Sequence, residues 1–253
     1  MTALHQSPVN VAALEVISAA SWPARHTSEV DGWLLRFTDG YTHRGNSAAT
    51  HRFTGADVEE SIDAVEGAYR ARALPALFHM SPATAPADLG QRLIARGYER
   101  TTPTMVCVAN THDMIARLPE PFDVSGERGA GFDSLVIGGS RSPDDGHERL
   151  DILARIIPPL ICATAFDNGV AVSCGIGIAR EGWAGINLMR TDAHARRRGN
   201  AQRVLSAIAQ WARAKGIANI YLGVEQQNAP ARSLYAKAGF RDAYPYWYLR
   251  KAV

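Results

Sequence analysis

Three short apolar runs, separated by tight-turn signals, give the second half of the chain its clearest pattern. The runs cover residues 159–166, 170–179 and 183–191, with DNG at 167–169 and REG at 180–182 between them. Asn and Gly tolerate positive φ, so runs joined in this way are typical of β-hairpins. The pattern predicts an antiparallel meander, which restricts this half to folds that contain a sheet.

Helices and strands are predicted to alternate after the meander. Apolar residues repeat at helical spacing within 200–215, and 217–224 is the next predicted strand. Asn228 is suited to cap a second helix, which ends before Gly239. An aromatic strand follows at 244–249.

The first half repeats this order of elements more weakly. LIARGYER at 93–100 and YAKAGFRD at 235–242 both combine a helix end, a glycine, an aromatic residue and a strand. The predicted elements of the first half are helices at 9–21, 57–73 and 87–96, strands at 75–80 and 100–109, and a hairpin of 32–38 with 41–48 around Asp39-Gly40. The fold class is therefore α/β (α+β), with two mixed-sheet domains in tandem. They are predicted at 1–120 and 131–253, with a linker at 121–130.

The charge balance argues against any function that needs a strongly basic or acidic surface. The chain has 27 Lys and Arg against 25 Asp and Glu, a net charge of +2. Binding to nucleic acid or to a membrane surface is therefore not predicted. No apolar run approaches the roughly 20 residues that a membrane-spanning helix needs. A strong anion site, if present, must be local.

Cysteine and histidine usage bears on compartment and metal binding. The 3 cysteines, Cys107, Cys162 and Cys174, lie in apolar runs without CxxC spacing. Buried reduced thiols are expected, which favours a cytoplasmic protein, and the first residues show no signal-peptide pattern. The 8 histidines show no paired spacing of metal ligands, so no metal is predicted.

A basic loop, HARRRGNA at 194–201, lies where the last meander strand ends and the next helix begins. The first N–H groups of a helix lack internal partners and lie at the positive end of its dipole, so cations there are unfavourable unless an anion binds. A glycine allows close approach, and arginines supply forked donors. The residues predicted to hold a pyrophosphate are Arg196, Arg197, Arg198, Gly199, Asn200 and Ala201. The GIG segment at 175–177 lies inside a predicted strand without the third glycine of a dinucleotide fingerprint, so it is predicted to serve packing.

Two motifs of this half resemble those of the GNAT superfamily, the GCN5-related N-acetyltransferases. The basic loop resembles motif A, [R/Q]xxGx[G/A], with Arg196, Gly199 and Ala201 at the defined positions. The segment NAPARSLYAKAGF at 228–240 resembles motif B, NxxAxxLYxxxGF. The resemblance covers roughly residues 131–253. It implies acetyl-CoA as cosubstrate and a C-terminal domain whose central strands splay apart.

The first half is similar to the same superfamily only as a degenerate copy. Its equivalent turn, THRFTGADVEE at 50–60, has no RxxGxG and places Asp57, Glu59 and Glu60 where a pyrophosphate needs positive charge. This half is therefore expected to bind no CoA. It would serve as a wall of the substrate cleft or as a dimerisation surface.

The resemblance also implies roles for single residues. The strand end at Met189, Arg190 and Thr191 would bond the pantetheine arm and the acetyl carbonyl. Tyr235 lies at the position of the general acid that donates to the departing thiolate, and Asn228 would contact the cofactor arm as well as cap its helix. A core-packed tyrosine and a simple helix cap are the alternative interpretations of these two residues.

The general base is not fixed by the motifs. Asn187, on the strand before motif A, cannot accept a proton, so Glu225 is predicted to act as the base through water. A plain surface glutamate is the alternative. Weaker candidates lie in a predicted loop before the meander, namely Asp144, Asp145 and His147. In the first half, Arg44 and Asn46 either face the substrate or end a strand.

Two functional hypotheses follow from these features. The first is an N-acetyltransferase that moves an acetyl group from acetyl-CoA directly to an amine of a small molecule or peptide. The alternative is a non-catalytic acyl-CoA-binding sensor or partner protein with the same fold, which the missing strand carboxylate favours. In either case no nucleic-acid or membrane partner is expected, and the chain would be a monomer or homodimer.

Overall fold

The computed structural model describes residues 9–251. The helices of this part are α1 (Val11–Ala20), α2 (Val58–Arg70), α3 (Leu89–Ala95), α4 (Thr111–Arg117), α5 (Ala130–Gly138), α6 (Pro143–Ala154), α7 (Asn200–Ala214) and α8 (Ala229–Lys237). The strands are β1 (His26–Val30), β2 (Trp33–Phe37), β3 (Ala48–Ala49), β4 (Leu77–Met80), β5 (Tyr98–Asn110), β6 (Val124–Ser125), β7 (Leu160–Asp167), β8 (Val170–Arg180), β9 (Trp183–Thr191), β10 (Asn219–Glu225) and β11 (Arg241–Lys251). Within residues 9–251, every helix is too short or too polar to cross a bilayer.

The described strands form one mixed sheet of 11 strands, in the order β1-β2-β3-β4-β11-β5-β10-β9-β8-β7-β6. The two halves exchange their last strands. β11, from the second half, lies antiparallel between β4 and β5, and β5, from the first half, pairs with β10. The fold is mixed α/β, as predicted, but the two copies share a continuous sheet because of this exchange. The domain limits themselves stay a prediction.

The predicted meander is confirmed, whereas the predicted first-half hairpin is misplaced. β7, β8 and β9 pair antiparallel in sequence order. In the first half the tight turn lies at Asp31-Gly32, with φ of 47° and 89°, and it joins β1 to β2. Residues 41–47 form a loop instead of a strand. The first half contains two Asp-Gly pairs, and β1 is a polar, exposed edge strand, so apolar alternation did not reveal it.

Helix α6 replaces the loop that was predicted before the meander. Ser142 caps it by accepting from the Asp145 N–H. The buried face of α6 carries Asp145 and Glu148, each 1% exposed, together with apolar residues. Charged residues therefore interrupt the apolar stripe by which a helix is recognised. The expected loop position of Asp144, Asp145 and His147 is thus wrong, because all three lie on this helix.

Helices cover both faces of the sheet. On one face, α4 and α7 pack with Ile186, Ile220 and Leu222 in one hydrophobic cluster. On the other face, α5 and α6 pack against Ile176 and Leu188, while α1 packs near the aromatic residues of β11. All three cysteines are buried free thiols, as expected. The centre of the sheet, where the two halves meet, is therefore covered on both sides except where two strands diverge.

Candidate active site

Strands β9 and β10 form a fork at the centre of the sheet. They pair in parallel from Asn219 opposite Trp183 to Leu222 opposite Ile186. Beyond these residues β9 stays with β8 and β10 stays with β5, so the two strands diverge. The splay that the family resemblance implied is present, and it exposes one edge of each strand to a gap.

A β-bulge lies in β9 beside this gap. Arg190 is opposite Cys174, whereas Asn187 is opposite Ile176, so β9 carries one extra residue. Leu188 takes a φ of 54°, which is strained for a bulky side chain. In the described sheet, β9 has no β10 partner at this level, so the backbone of residues 188–191 is available to a ligand in the fork.

Glycines in β8 make room for this arrangement. A Cβ on Gly175 would lie 2.3 Å from Met189 Sδ, and one on Gly177 would lie 2.7 Å from Ile208 Cγ2. Both distances are far below van der Waals contact. The packing role predicted for these glycines is therefore confirmed, and Gly175 is what lets the Met189 side chain lie across β8.

A cavity of about 480 Å³ occupies the fork. Five of the residues predicted to act in catalysis or to bind the cofactor line it: Met189, Arg190, Glu225, Asn228 and Tyr235. The weaker candidates Arg44 and Asp145 line it as well. Thr191 and residues 196–201 lie outside its lining. Within residues 9–251 no group of His, Cys, Asp and Glu side chains is arranged to hold a metal ion. The structure thus brings two of the strand residues, Met189 and Arg190, and the motif B residues Asn228 and Tyr235 to one cavity, whereas Thr191 and the basic loop are outside its lining.

The basic loop leads into an open helix start. Asp192 caps a short 3-10 turn at Ala193–Ala195 by accepting from the His194 N–H. Arg197 and Gly199 then take φ of 60° and 82°, which turns the chain into α7. Gly199 is the N-cap and has no side chain that could satisfy the first N–H groups. Exposed arginines at 196–198 adjoin these groups, as an anion site requires.

Asn200 and Arg203 hold this loop in place. The Asn200 side chain is buried, donates to the Ala195 carbonyl at 3.0 Å and accepts from Arg203 at 3.0 Å. Arg203 also donates to the carbonyls of Phe122, Asp123 and Phe166, and its guanidinium lies 4.1 Å from the centre of the Phe122 ring. The Asn200 side chain is therefore already occupied, so Asn200 could contact a ligand through its backbone N–H but not through its side chain. Arg203 was not predicted as a residue of this site. Its position next to the apolar residues of α7 was a signal that its side chain is buried and therefore paired.

Tyr235 and Asn228 lie on the motif B side of the cavity. Tyr235 is 8% exposed, and burial raises the pKa of its phenol to about 12. The phenol is therefore protonated at neutral pH and is able to donate. Asn228 caps α8, with its side-chain oxygen accepting from the Ala231 N–H at 3.2 Å. Glu225, at the end of β10, is exposed and borders the same cavity.

The first half supplies the opposite wall of the cavity through loop 41–47. Arg44 donates to Asn187 Oδ1 at 2.7 Å and to the Tyr246 hydroxyl at 3.0 Å. His43 Nδ1 lies 3.2 Å from Thr102 Oγ1. Burial, followed by the nearby Arg141, lowers the pKa of His43, so the imidazole is neutral near pH 7. His43 was not predicted, because the sequence suggested a strand here.

Glu148 of α6 determines the position of this loop. Its carboxylate is 1% exposed. It accepts five hydrogen bonds at 2.7–3.1 Å, from Thr38 Oγ1, Tyr41 N–H, Thr42 N–H, Thr42 Oγ1 and Asn46 Nδ2. Asn46 is thus a structural residue, whereas Arg44 faces the cavity. The Glu148 carboxylate, from the second half, therefore helps to hold loop 41–47 of the first half against the cavity.

The equivalent helix start in the first half is occupied by its own carboxylate. Asp57 Oδ1 accepts from the N–H groups of Glu59 at 2.7 Å and Glu60 at 3.3 Å. Glu59 in turn pairs with Arg92 and Arg96. The donors that an anion would need are therefore already bonded, and the local charge is negative.

Comparisons with known proteins agree with this architecture. A family model described as "Probable histone acetyltransferase Rv0428c C-terminal" matches residues 9–249. The uncharacterized N-acetyltransferase YobR of Bacillus subtilis (strain 168) is 28% identical over 235 residues, which cover 90% of this chain and 93% of that protein. A GCN5-related N-acetyltransferase structure from Kribbella flavida superposes with a TM-score of 0.72 at 14% identity, over 98% of this chain and 97% of the other. A tandem GNAT protein from the clavulanic acid biosynthesis pathway superposes with a TM-score of 0.62 at 13% identity, over 97% and 89% of the two chains.

The family match spans almost all of the described residues, and the fork, the bulge and the open start of α7 lie in the half that carries both motifs. The structural neighbours share the fold over nearly the whole length of the chain. The chain therefore belongs to the family of the probable histone acetyltransferase Rv0428c C-terminal region and is an N-acetyltransferase of the GNAT superfamily.

Proposed function

We propose that the chain binds acetyl-CoA in the fork between β9 and β10 and transfers the acetyl group directly to an amine in the cavity. The observation that carries this proposal is the fork itself, whose strand β9 leads through the basic loop into the uncapped start of α7. A long, flexible thioester needs a groove for its arm and a positive site for its phosphates. The fork would provide the groove, and the basic loop that follows β9 along the chain would provide the positive site.

The basic loop would hold the pyrophosphate. The backbone N–H groups of Gly199, Asn200 and Ala201 lie at the positive end of the α7 dipole. Arg196, Arg197 and Arg198 are exposed beside them and add charge-assisted hydrogen bonds. Asn200 and Arg203 keep this loop in one conformation before the ligand arrives, which lowers the entropic cost of binding.

The bulge of β9 would hold the reacting carbonyl. Backbone N–H groups at Met189 and Arg190 have no strand partner on the fork side in the described sheet, so they are available to the acetyl oxygen. Donors fixed there would stabilise the negative charge that develops as the amine attacks the thioester carbon. The C–N bond forms, the C–S bond breaks, and the sulfur leaves as a thiolate.

Tyr235 and Glu225 would move the protons. A CoA thiol with a pKa of about 8.5 is a fair leaving group, and the protonated phenol of Tyr235 donates to it as it departs. Glu225 takes the amine proton through a water molecule. Neutral His43 is a second group of the cavity lining able to accept a proton, whereas the Asp145 carboxylate is paired with Arg149. If His43 were the base, His43→Asn would remove the acidic limb of the kcat/KM profile, and Glu225→Gln would not.

The two halves would have different tasks. The second half holds the donor, and loop 41–47 of the first half forms the acceptor wall. A single acetyl-CoA per chain is expected because Asp57 occupies the helix start at which a second one would bind. Of the two roles suggested for the degenerate copy, the cavity lining supports that of a wall.

Release of free thiol from acetyl-CoA, measured with a panel of amines, tests the proposed function. We expect amine-dependent thiol release, with an N-acetylated product of the corresponding mass. Acetyl-CoA binding without turnover on any amine would favour the sensor hypothesis instead. Absence of both binding and turnover would contradict the assignment of the fork.

Tyr235→Phe is expected to lower kcat by about 10- to 100-fold, because general-acid assistance to the leaving thiolate is lost. The KM for acetyl-CoA should change little, since the ring still packs against Phe240 at 5.8 Å. Steady-state thiol release measures both constants, and the denaturation midpoint checks that the variant is folded. A Phe variant with full turnover would remove Tyr235 from the chemistry.

A further inference from the structure

The acceptor side of the cavity is basic. Among the described residues, four arginines line it, namely Arg44, Arg141, Arg149 and Arg190. The lining includes two carboxylates, Asp145 and Glu225. The loop that would hold the pyrophosphate lies outside this lining, so the positive charge of the cavity is separate from the donor's phosphate site.

Arg190 is the arginine of this lining whose positive charge and N–H groups have the fewest partners. Its side chain lies against the end of α5, where a Cβ on Gly139 would be 2.5 Å from Arg190 Cδ. Nη1 donates to the neighbouring Met189 carbonyl at 3.0 Å, and buried Nε has no hydrogen-bond partner among the described residues. Burial, followed by the proximity of Arg149, lowers the pKa of Arg190. Asp145 opposes this effect, but it pairs with Arg149, and no described carboxylate lies within ion-pair distance of Arg190. A desolvated guanidinium without such a pair is costly, so an anion is the expected missing partner.

The groups that the other three arginines contact do not supply a spare negative charge for Arg190. Among the described residues, Arg44 donates hydrogen bonds to two neutral groups, Asn187 Oδ1 and the Tyr246 hydroxyl, and forms no ion pair. Arg149 and Arg141 share one carboxylate, with nitrogen–oxygen distances of 3.0 Å and 3.7 Å to Asp145. The cavity therefore keeps an excess of positive charge that its own acids do not neutralise.

We propose that the acceptor is a small amine that carries a carboxylate, which Arg190 and its neighbouring arginines bind. This inference rests on the proposed acetyl transfer and names its substrate class. The planar guanidinium matches a carboxylate with two parallel hydrogen bonds, which orients the molecule as well as holding it. The amine then points towards the fork and Glu225.

The same charges favour catalysis on such a substrate. Nearby cations lower the pKa of an amine, so the neutral form that attacks the thioester becomes more populated. A lysine-rich peptide has no carboxylate near its reacting amine and would bring further positive charge into the cavity. Its entry is therefore expected to be unfavourable.

The test compares amino acids with their amides as acceptors. We expect kcat/KM for free L-amino acids, including glutamate and aspartate, to exceed that of the matching carboxamides by roughly 10- to 100-fold, the range for a hydrogen bond between charged groups. Arg190→Gln should reduce this acid-to-amide ratio towards one, and Arg190→Lys should restore part of it. Exposed Arg213, near the end of α7, provides the matched control, and Arg213→Gln should leave the ratio unchanged. An aminoalkyl phosphonate in the panel separates a carboxylate site from a general anion site.

A binding measurement keeps the inference testable without turnover. Calorimetry of N-acetyl amino acids and their amides, with CoA present, should show at least about tenfold tighter binding of the acids. Equal kcat/KM or equal affinity for acids and amides, a preference for a lysine-rich peptide, or a stronger preference for the phosphonate would overturn the carboxylate assignment while the acetyl transfer stands. Loss of acetyl-CoA turnover with every amine, together with selective binding of the acids, would overturn the transfer and leave the anion site.

Discussion

Glu148→Ala is expected to lower the free energy of unfolding by about 3–5 kcal/mol and to abolish amine acetylation. The carboxylate accepts five hydrogen bonds while 1% exposed. Its removal leaves buried N–H and O–H donors of loop 41–47 without a partner, and each such donor carries a desolvation penalty. Because this loop places His43 and Arg44 on the cavity wall, the acceptor site should be lost with it.

Denaturant unfolding and thiol release together measure this effect. His147→Ala is the matched control, because His147 is exposed and adjacent on the same helix, and it should remain within about 0.5 kcal/mol of the parent. Glu148→Gln keeps the shape of the side chain but replaces one acceptor oxygen by a donor nitrogen. We therefore expect its losses of stability and activity to lie between those of the parent and of Glu148→Ala. A Glu148→Ala protein with parental stability and activity would show that loop 41–47 is held by other contacts.

Gly199→Asp is expected to raise the KM for acetyl-CoA by roughly 100-fold. Gly199 takes a φ of 82°, which a non-glycine residue adopts at a cost. A Cβ there would meet Gln202 Oε1 at 3.7 Å, an ordinary contact, so steric overlap is not the cause. The main effect is a negative charge placed at the helix start that binds the pyrophosphate.

Gly199→Asn separates charge from conformation. Asn tolerates positive φ better than most residues and carries no charge, so its KM for acetyl-CoA should rise only a few-fold. Thiol release measured at varied acetyl-CoA concentration gives the KM for acetyl-CoA of the Gly199→Asp and Gly199→Asn variants. Equal KM for the Asp and Asn variants would mean that no phosphate binds at this helix start.

Features set by neighbouring residues could be predicted from the sequence. Asn168, Gly169 and Gly182 take positive φ as their residue types indicate, and the meander follows from these turns. Helix α7 begins at Asn200 and Asn228 caps α8, as predicted. These features depend on local conformational preference and periodicity, which a single sequence contains.

Features set by distant residues could not be predicted. The insertion of β11 between β4 and β5 depends on which strand edges remain free, and local pattern does not encode this. The Glu148 hydrogen bonds join positions about a hundred residues apart, so the acid resembles any surface glutamate in the sequence. His43 and Arg44 reach the cavity from the loop that those bonds help to hold in place.

The candidate site divides in the same way. The donor half, from Met189 to Tyr235, could be proposed from the sequence because two compact motifs, and the strands that lead into them, lie in one stretch of the chain. The acceptor half depends on the meeting of loop 41–47, α6 and β9, and its arginines are scattered along the chain. A charged cluster assembled by tertiary structure leaves no run of charge in the sequence.

Calorimetric titration of the chain with acetyl-CoA tests the central claim most directly. We expect one molecule to bind per chain, because the second half has an open helix start with arginines and the first half has one capped by Asp57. The heat of binding should disappear in Gly199→Asp under the same conditions. Two molecules per chain, no binding at all, or unchanged binding in Gly199→Asp would contradict the assignment of the fork and its basic loop as the acetyl-CoA site.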